Sequence, residues 1–96
     1  MCQIYASQPA HRYGLQSRRI RLNGQSTTVR LENAFWSILD ALAIAEGLTT
    51  PGFISKLHAE AIEIHGEPEN FSSVLRCTCL LALETDTGLH RMLAAE

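Results

Sequence analysis

The sequence predicts a mostly α-helical domain led by a short β-ribbon, and three observations predict it. The run Ser26-Thr27-Thr28-Val29-Arg30-Leu31-Glu32 alternates in character, which puts Thr27, Val29 and Leu31 on one face of a strand and Ser26, Thr28 and Arg30 on the other. That strand leads directly into an amphipathic helix. The helix stops at Glu46-Gly47, and Leu48-Thr49-Thr50 starts a second one. A lone strand feeding a helix pair covers neither its own edge nor its own apolar face, so the pattern predicts association with a second copy through the strand.

Each element has a local cause. Residues 1–16 read as an N-terminal arm, because Gln8-Pro9-Ala10 and Tyr13-Gly14 interrupt any regular period. From Ser17 to Leu22, Arg19 and Arg21 alternate with Ile20 and Leu22, the period of a strand. Asn23-Gly24 is a strong two-residue hairpin signal, since both residues tolerate positive φ, and Gln25 to Leu31 returns as the second strand. In the helix from about Asn33 to Glu46, Phe35, Ile38, Leu39, Leu42 and Ala45 share a face, and Glu32 sits at the positive end of the dipole. Phe35 and Trp36 are adjacent and cannot share that face. Phe35 is therefore assigned to the core and Trp36 to a contact between helices or subunits.

Gly47 suits a left-handed C-terminal cap, and Thr49 or Thr50 caps the next helix with Pro51 in its first turn. That helix runs to about His65, with Phe53, Ile54, Leu57, Ala61 and Ile64 inward, and Gly66-Glu67-Pro68 ends it. Asn70 caps a third helix, Phe71 to about Leu83, whose apolar residues go nearly all round. Such a helix is expected to pack on both its own domain and a partner. Asp86-Thr87-Gly88 closes it, and the tail extends weakly or frays. The chain is thus read as one domain, 1–96: an arm over 1–16, a hairpin strand and helix-pair core over 17–66, a third helix over 67–88 and a tail over 89–96.

A chain of 96 residues makes one domain with a thin core, to which a dimer would add burial. No apolar run approaches the ~18 residues of a membrane span. Met1-Cys2-Gln3-Ile4-Tyr5 lacks a basic start and a long apolar core, so the cytoplasm is the expected compartment. The formal charge of -2 hides a division. Residues 1–31 hold Arg12, Arg18, Arg19, Arg21 and Arg30 and no acid, whereas Lys56, Arg76 and Arg91 face all ten carboxylates in residues 32–96. Local field rather than total charge steers a polyanion, so the arginine-only front half points to one as a partner.

Nothing in the sequence points to an enzyme. Cys2, Cys77 and Cys79 are odd in number and lack Cys-x-x-Cys spacing, which argues against a disulfide framework. Cys77 and Cys79 stand on different sides of a helix, as small buried or half-buried hydrophobes. Of the histidines His11, His58, His65 and His90, His58 and His65 lie two turns apart on one helix face. No Cys or Asp stands at ligand spacing beside them, and the nearby Glu60 and Glu63 read as a solvated polar face. A Gly-rich phosphate loop, Gly-x-Ser-x-Gly and His-Glu-x-x-His are all absent from the sequence. No catalytic residue, metal site or cofactor is predicted.

From Ser26 to Gly66, the order of strand, helix, glycine turn and Ser/Thr-capped helix resembles the ribbon-helix-helix DNA-binding domain family. A closer likeness covers most of the chain. Met1-Cys2, Ser17-Arg18-x-Ile20-Arg21-Leu22-x-Gly24, Thr28-Val29-Arg30-Leu31-Glu32-Asn33-Ala34-Phe35-Trp36 and Asn70-Phe71-Ser72-Ser73-x-Leu75-Arg76 are similar to small bacterial proteins that carry an extended ribbon-helix-helix domain.

The resemblance implies an intertwined homodimer in which two strands, one per subunit, pair antiparallel and enter a DNA major groove. Ser26, Thr28 and Arg30 match the positions whose side chains enter the groove. Arg30 is the main candidate for base reading, because a guanidinium contacts guanine O6 and N7 bidentately, while Ser26 and Thr28 have short reach. At the start of the second helix, Thr49, Thr50 and Gly52 would clamp a phosphate through free N–H groups and the dipole. Pro51 departs from that pattern because it has no N–H, and Thr50 Oγ is an alternative donor.

Arg18, Arg19 and Arg21 are candidates for phosphate contact from the added hairpin strand. That strand extends the ribbon to four strands, sets its arginines beside the duplex, or covers the reading surface. The expected function is sequence-specific binding of double-stranded DNA and transcriptional regulation, with no cofactor and no membrane partner. The alternative is a protein-interaction or antitoxin-like module on the same dimer, with the third helix as its partner surface.

Overall fold

The computed structural model describes residues 2–85 and Leu93. Its elements run α1 (Cys2–Ala6), a 3-10 turn (Ala10–Tyr13), β1 (Leu15–Leu22), β2 (Gln25–Glu32), α2 (Asn33–Ala45), α3 (Thr50–His65) and α4 (Phe71–Thr85). The arm is more ordered than its composition predicts, and β1 starts at Leu15 rather than Ser17. The cause is distant in sequence: Asn33 donates its backbone N–H to Gly14 O and its side-chain amide to His11 O, both at 2.8 Å. These bonds fasten the end of the arm to the start of α2.

β1 and β2 form an antiparallel hairpin through Asn23 (φ 52) and Gly24 (φ 80), the two positive values a type I′ turn requires. The register pairs Leu15 with Glu32 at one end and Leu22 with Gln25 at the other. On the inner face Ile20, Leu22, Val29 and Leu31 are buried. The expectation that the strand's apolar face needs a second copy is corrected here. The chain's own helices bury that face, and β1 covers one edge of β2. The other edge of β2 has no strand beside it among the described residues.

α2 lies at the centre, against β2, α3 and α4, while α3 also packs on β1. Because α2 is covered from several directions, Trp36 and Phe35 both join the core despite pointing to different sides. Trp36 is 1% exposed and donates its indole N–H to Gln16 O at 2.8 Å, so it belongs to the core beneath β1 rather than to a subunit contact. Phe35 packs partly buried against the same cluster. The helix ends in a Schellman turn, with Leu48 N–H donating to Ala43 O and Gly47 at φ 70.

In α3, Ile54 is fully buried and Phe53 and Leu57 pack beside it, while Ile64 is exposed. Glu60 and Glu63 are exposed, whereas His58 on the same helix is buried. Its ring meets Phe71 edge-on at 4.8 Å, and its Nε2 lies 3.5 Å from Glu67 Oε1. Phe71, the first residue of α4, lies against that side of α3.

Asn70 caps α4 as expected, its Oδ1 accepting from Ser73 N–H. The helix buries only one stripe, Leu75 and Cys79, and leaves Leu80 and Leu81 exposed. The expected closure at Asp86-Thr87-Gly88 and the tail lie outside the described residues, except Leu93, which packs against the core.

Candidate nucleic-acid interface

Strand alternation builds the outer face of the hairpin. Across the register, Ser17 pairs with Arg30, Arg19 with Thr28 and Arg21 with Ser26, and all six residues are exposed. Three arginines and three hydroxyl side chains therefore share one sheet face. Among the described residues, no acid pairs with Arg19, Arg21 or Arg30. Ser26, Thr28 and Arg30 lie together on this face, joined by Arg19 and Arg21 from β1.

Arg18 does not join them. One residue out of phase, it points inward and lays its guanidinium 4.3 Å from the centroid of the Trp36 ring. Its Nη1 and Nη2 donate to the two carboxylate oxygens of Asp40 at 2.8 and 3.1 Å, a bidentate pair. Asp40 Oδ1 also accepts from Thr50 Oγ1 at 2.7 Å. Partial burial pushes the Asp40 carboxyl up, but the hydrogen bonds from Arg18 and Thr50 and the Arg18 charge outweigh it, so the group sits below its ordinary range.

Arg76 is held similarly. Its Nε and Nη2 both lie 3.0 Å from Glu32 Oε1, at the end of β2. The Glu32 carboxyl is lowered first by its own backbone N–H and then, against some desolvation, by Arg76. Two acids thus tie two arginines to the helical body, while the outer face keeps its three.

The start of α3 offers a phosphate fewer donors than its sequence suggests. Thr49 Oγ1 accepts from Gly52 N–H at 3.1 Å, Phe53 N–H donates to Thr49 O, and the Thr50 hydroxyl donates to Asp40 Oδ1. Pro51 has no N–H. A Cβ at Gly52 would lie 3.0 Å from Thr49 Oγ1, so glycine leaves room for the cap.

Sequence reading assigns no role to Asp40, yet this residue holds the one β1 arginine that alternation turns inward. A local signal exists: Trp36 and Asp40 are four apart, on one helix face, where a strand arginine could lie across both. Among the described residues no group of His, Cys, Asp and Glu is placed to hold a metal ion, and no helix is long and apolar enough to cross a membrane. Burial pushes the Cys79 thiol up to about 12.

A two-stranded ribbon with an arginine face, followed by a helix pair joined through a glycine turn, defines a class of protein. The chain belongs to the ribbon-helix-helix domain family, whose model matches residues 15–83, the hairpin and all of α2 and α3 included. The family consists in general of DNA-binding transcription regulators, and its fold is not typically enzymatic.

A solved structure of an uncharacterized protein from Bordetella pertussis Tohama I is similar to this chain at 39% identity and a TM-score of 0.81. The similarity covers 83% of this chain and 64% of the other, so the chain spans less than two thirds of that protein's length. No curated protein matches the chain.

Proposed function

We propose that this chain is a sequence-specific DNA-binding protein of the cytoplasm that regulates transcription as a homodimer, presenting a paired ribbon to the major groove of a duplex. The observation that carries this reading is the hairpin's outer face, where Arg19, Arg21 and Arg30 stand exposed with no acid partner among the described residues. Family membership supports the same class of activity.

Pairing of two copies is proposed through the open edge of β2. The bond from Asn33 N–H to Gly14 O continues the hairpin ladder by one pair. Antiparallel ladders alternate, so Ser26, Thr28 and Arg30 direct their backbone groups to the open edge and their side chains to the outer face. A second β2 meeting that edge gives the order β1–β2–β2–β1 and a continuous face with twice the arginines. Of the three β2 side chains on the outer face, Arg30 is the one proposed to read bases, because the hydroxyls of Ser26 and Thr28 stand close to the sheet.

Arg19 and Arg21 are the proposed phosphate contacts. The turn at Thr49, Thr50 and Gly52 is proposed as a reduced phosphate anchor, because the Thr50 hydroxyl and the Gly52 N–H already donate within the chain. Arg18 is not proposed as a contact, because it points inward and pairs with Asp40.

Fluorescence anisotropy with genomic duplex fragments across a salt series, comparing wild type with Arg30→Ala, tests the reading. Wild type should bind with a steep salt dependence. Arg30→Ala should lose about 1–3 kcal/mol of discrimination against the wrong base. Identical curves would remove Arg30 from the surface. The rival, a protein-interaction module, draws on the apolar strip at Leu80 and Leu81 of α4. It predicts no duplex binding at low salt and partner binding that survives Arg30→Ala.

A further inference from the structure

The added strand β1 changes how deeply the sheet enters DNA, an inference that rests on the duplex-binding reading above. Neighbouring strands stand about 4.8 Å apart, so in the order β1–β2–β2–β1 the two outer strands are separated by about 14 Å. A major groove is about 12 Å wide and about 8.5 Å deep. The central pair fits between the phosphate walls and the outer pair does not.

We infer that β1 is a depth stop: it rests the sheet on the rim of the groove, Arg19 and Arg21 of each copy grip the phosphate walls, and Arg30 alone reaches the bases. Side-chain length sorts the face accordingly. The hydroxyls of Ser26 and Thr28 sit on Cβ, close to the sheet, whereas the Arg30 guanidinium stands at the end of a long flexible stem.

The register distributes length in a complementary way. Outboard of short Thr28 stands Arg19, outboard of short Ser26 stands Arg21, and outboard of long Arg30 stands short Ser17. Wherever β2 carries a short residue, β1 carries the arginine. Arg18 stands outside the grip because alternation turns it to the inner face, opposite Val29, where Asp40 holds it. The resulting recognition is sparse, with two symmetry-related guanines read by Arg30 and affinity drawn chiefly from the backbone. The partner is specifically B-form DNA, because the deep, narrow major groove of A-form RNA admits neither the central strands nor Arg30.

The test uses the full chain and a duplex selected by wild type from randomised DNA. Salt series are run on wild type, Arg19→Ala/Arg21→Ala, Ser26→Ala/Thr28→Ala and Arg30→Ala, with circular dichroism to verify that each exposed-site variant stays folded. Removing four phosphate contacts per dimer should flatten the plot of log K against log salt by about 3.6, at about 0.9 per contact, and leave the selected sequence unchanged.

Ser26→Ala/Thr28→Ala should shift affinity less than twofold and select the same sequence. Arg30→Ala should lose the guanine preference. A changed selection for Ser26→Ala/Thr28→Ala, or an unaltered slope for Arg19→Ala/Arg21→Ala, overturns the depth stop while duplex binding stands. Absence of duplex binding by wild type at low salt overturns both.

Discussion

Replacing Asp40 with asparagine removes one charge and one of two acceptors from the clamp that joins β1, α2 and α3. Wild-type Asp40 accepts from Arg18 at 2.8 and 3.1 Å and from Thr50 at 2.7 Å. Side-chain exposures of 33% for Arg18 and 41% for Asp40 mean that solvent screens the pair, which places it near the upper end of surface ion pairs, about 1 kcal/mol. The hydroxyl bond and the ordering of the guanidinium over Trp36 bring the expected loss to about 1–2 kcal/mol at neutral pH. In a domain of this size that corresponds to about 5–10 °C in Tm.

The loss depends on pH with a definite sign. Arg18 and Thr50 overcome partial burial and hold the Asp40 carboxyl below its ordinary value. Its contribution is therefore complete above the unfolded value of about 3.9 and disappears as pH falls through the lower folded value. Urea unfolding at fixed protein concentration, followed by the fluorescence of Trp36, measures the gap directly. Trp36 is the single tryptophan, and the Arg18 guanidinium lies against its ring. Wild type and Asp40→Asn should differ at pH 7 and converge toward pH 3. Equal stability at pH 7, or an equal gap at both values, would refute the assignment of Asp40 as the clamp.

Other expectations follow from the same contacts. Thr49→Ala removes the acceptor for Gly52 N–H at the start of α3 and should cost about 1 kcal/mol, read as a shift in the denaturation midpoint with unchanged slope. In a Cys2→Ser background, exposed Cys77 should react with a thiol reagent in the folded protein. Cys79, fully buried with its thiol pushed up to about 12, should react only at the rate of unfolding.

Features set by neighbouring residues were legible in the sequence. Asn23-Gly24 marks the hairpin, Gly47 ends α2, and Thr49 and Asn70 cap their helices, each through bonds that span a few residues. The alternation of Val29 and Leu31 with Thr28 and Arg30 assigns the two faces of β2. What eluded the sequence depends on distant partners. The end of the arm is held by Asn33, His58 is covered by Phe71, and the burial of Trp36 draws on Gln16 and Arg18. The apolar girth of α4 predicted cover on more than one side, yet its own domain covers one stripe.

The arginines divide the two contributions most clearly. Sequence alone determined that β2 would turn Arg30 away from its apolar face, because side chains in a strand alternate and Val29 and Leu31 claim the inner side. It also collected five arginines and no acid in residues 1–31. Only the tertiary structure decided what Arg18 meets on the inner side, the carboxylate of Asp40 and the ring of Trp36. Asp40 lies 22 residues away in sequence, and packing brings it within hydrogen-bond distance of the one arginine on the inner side of β1.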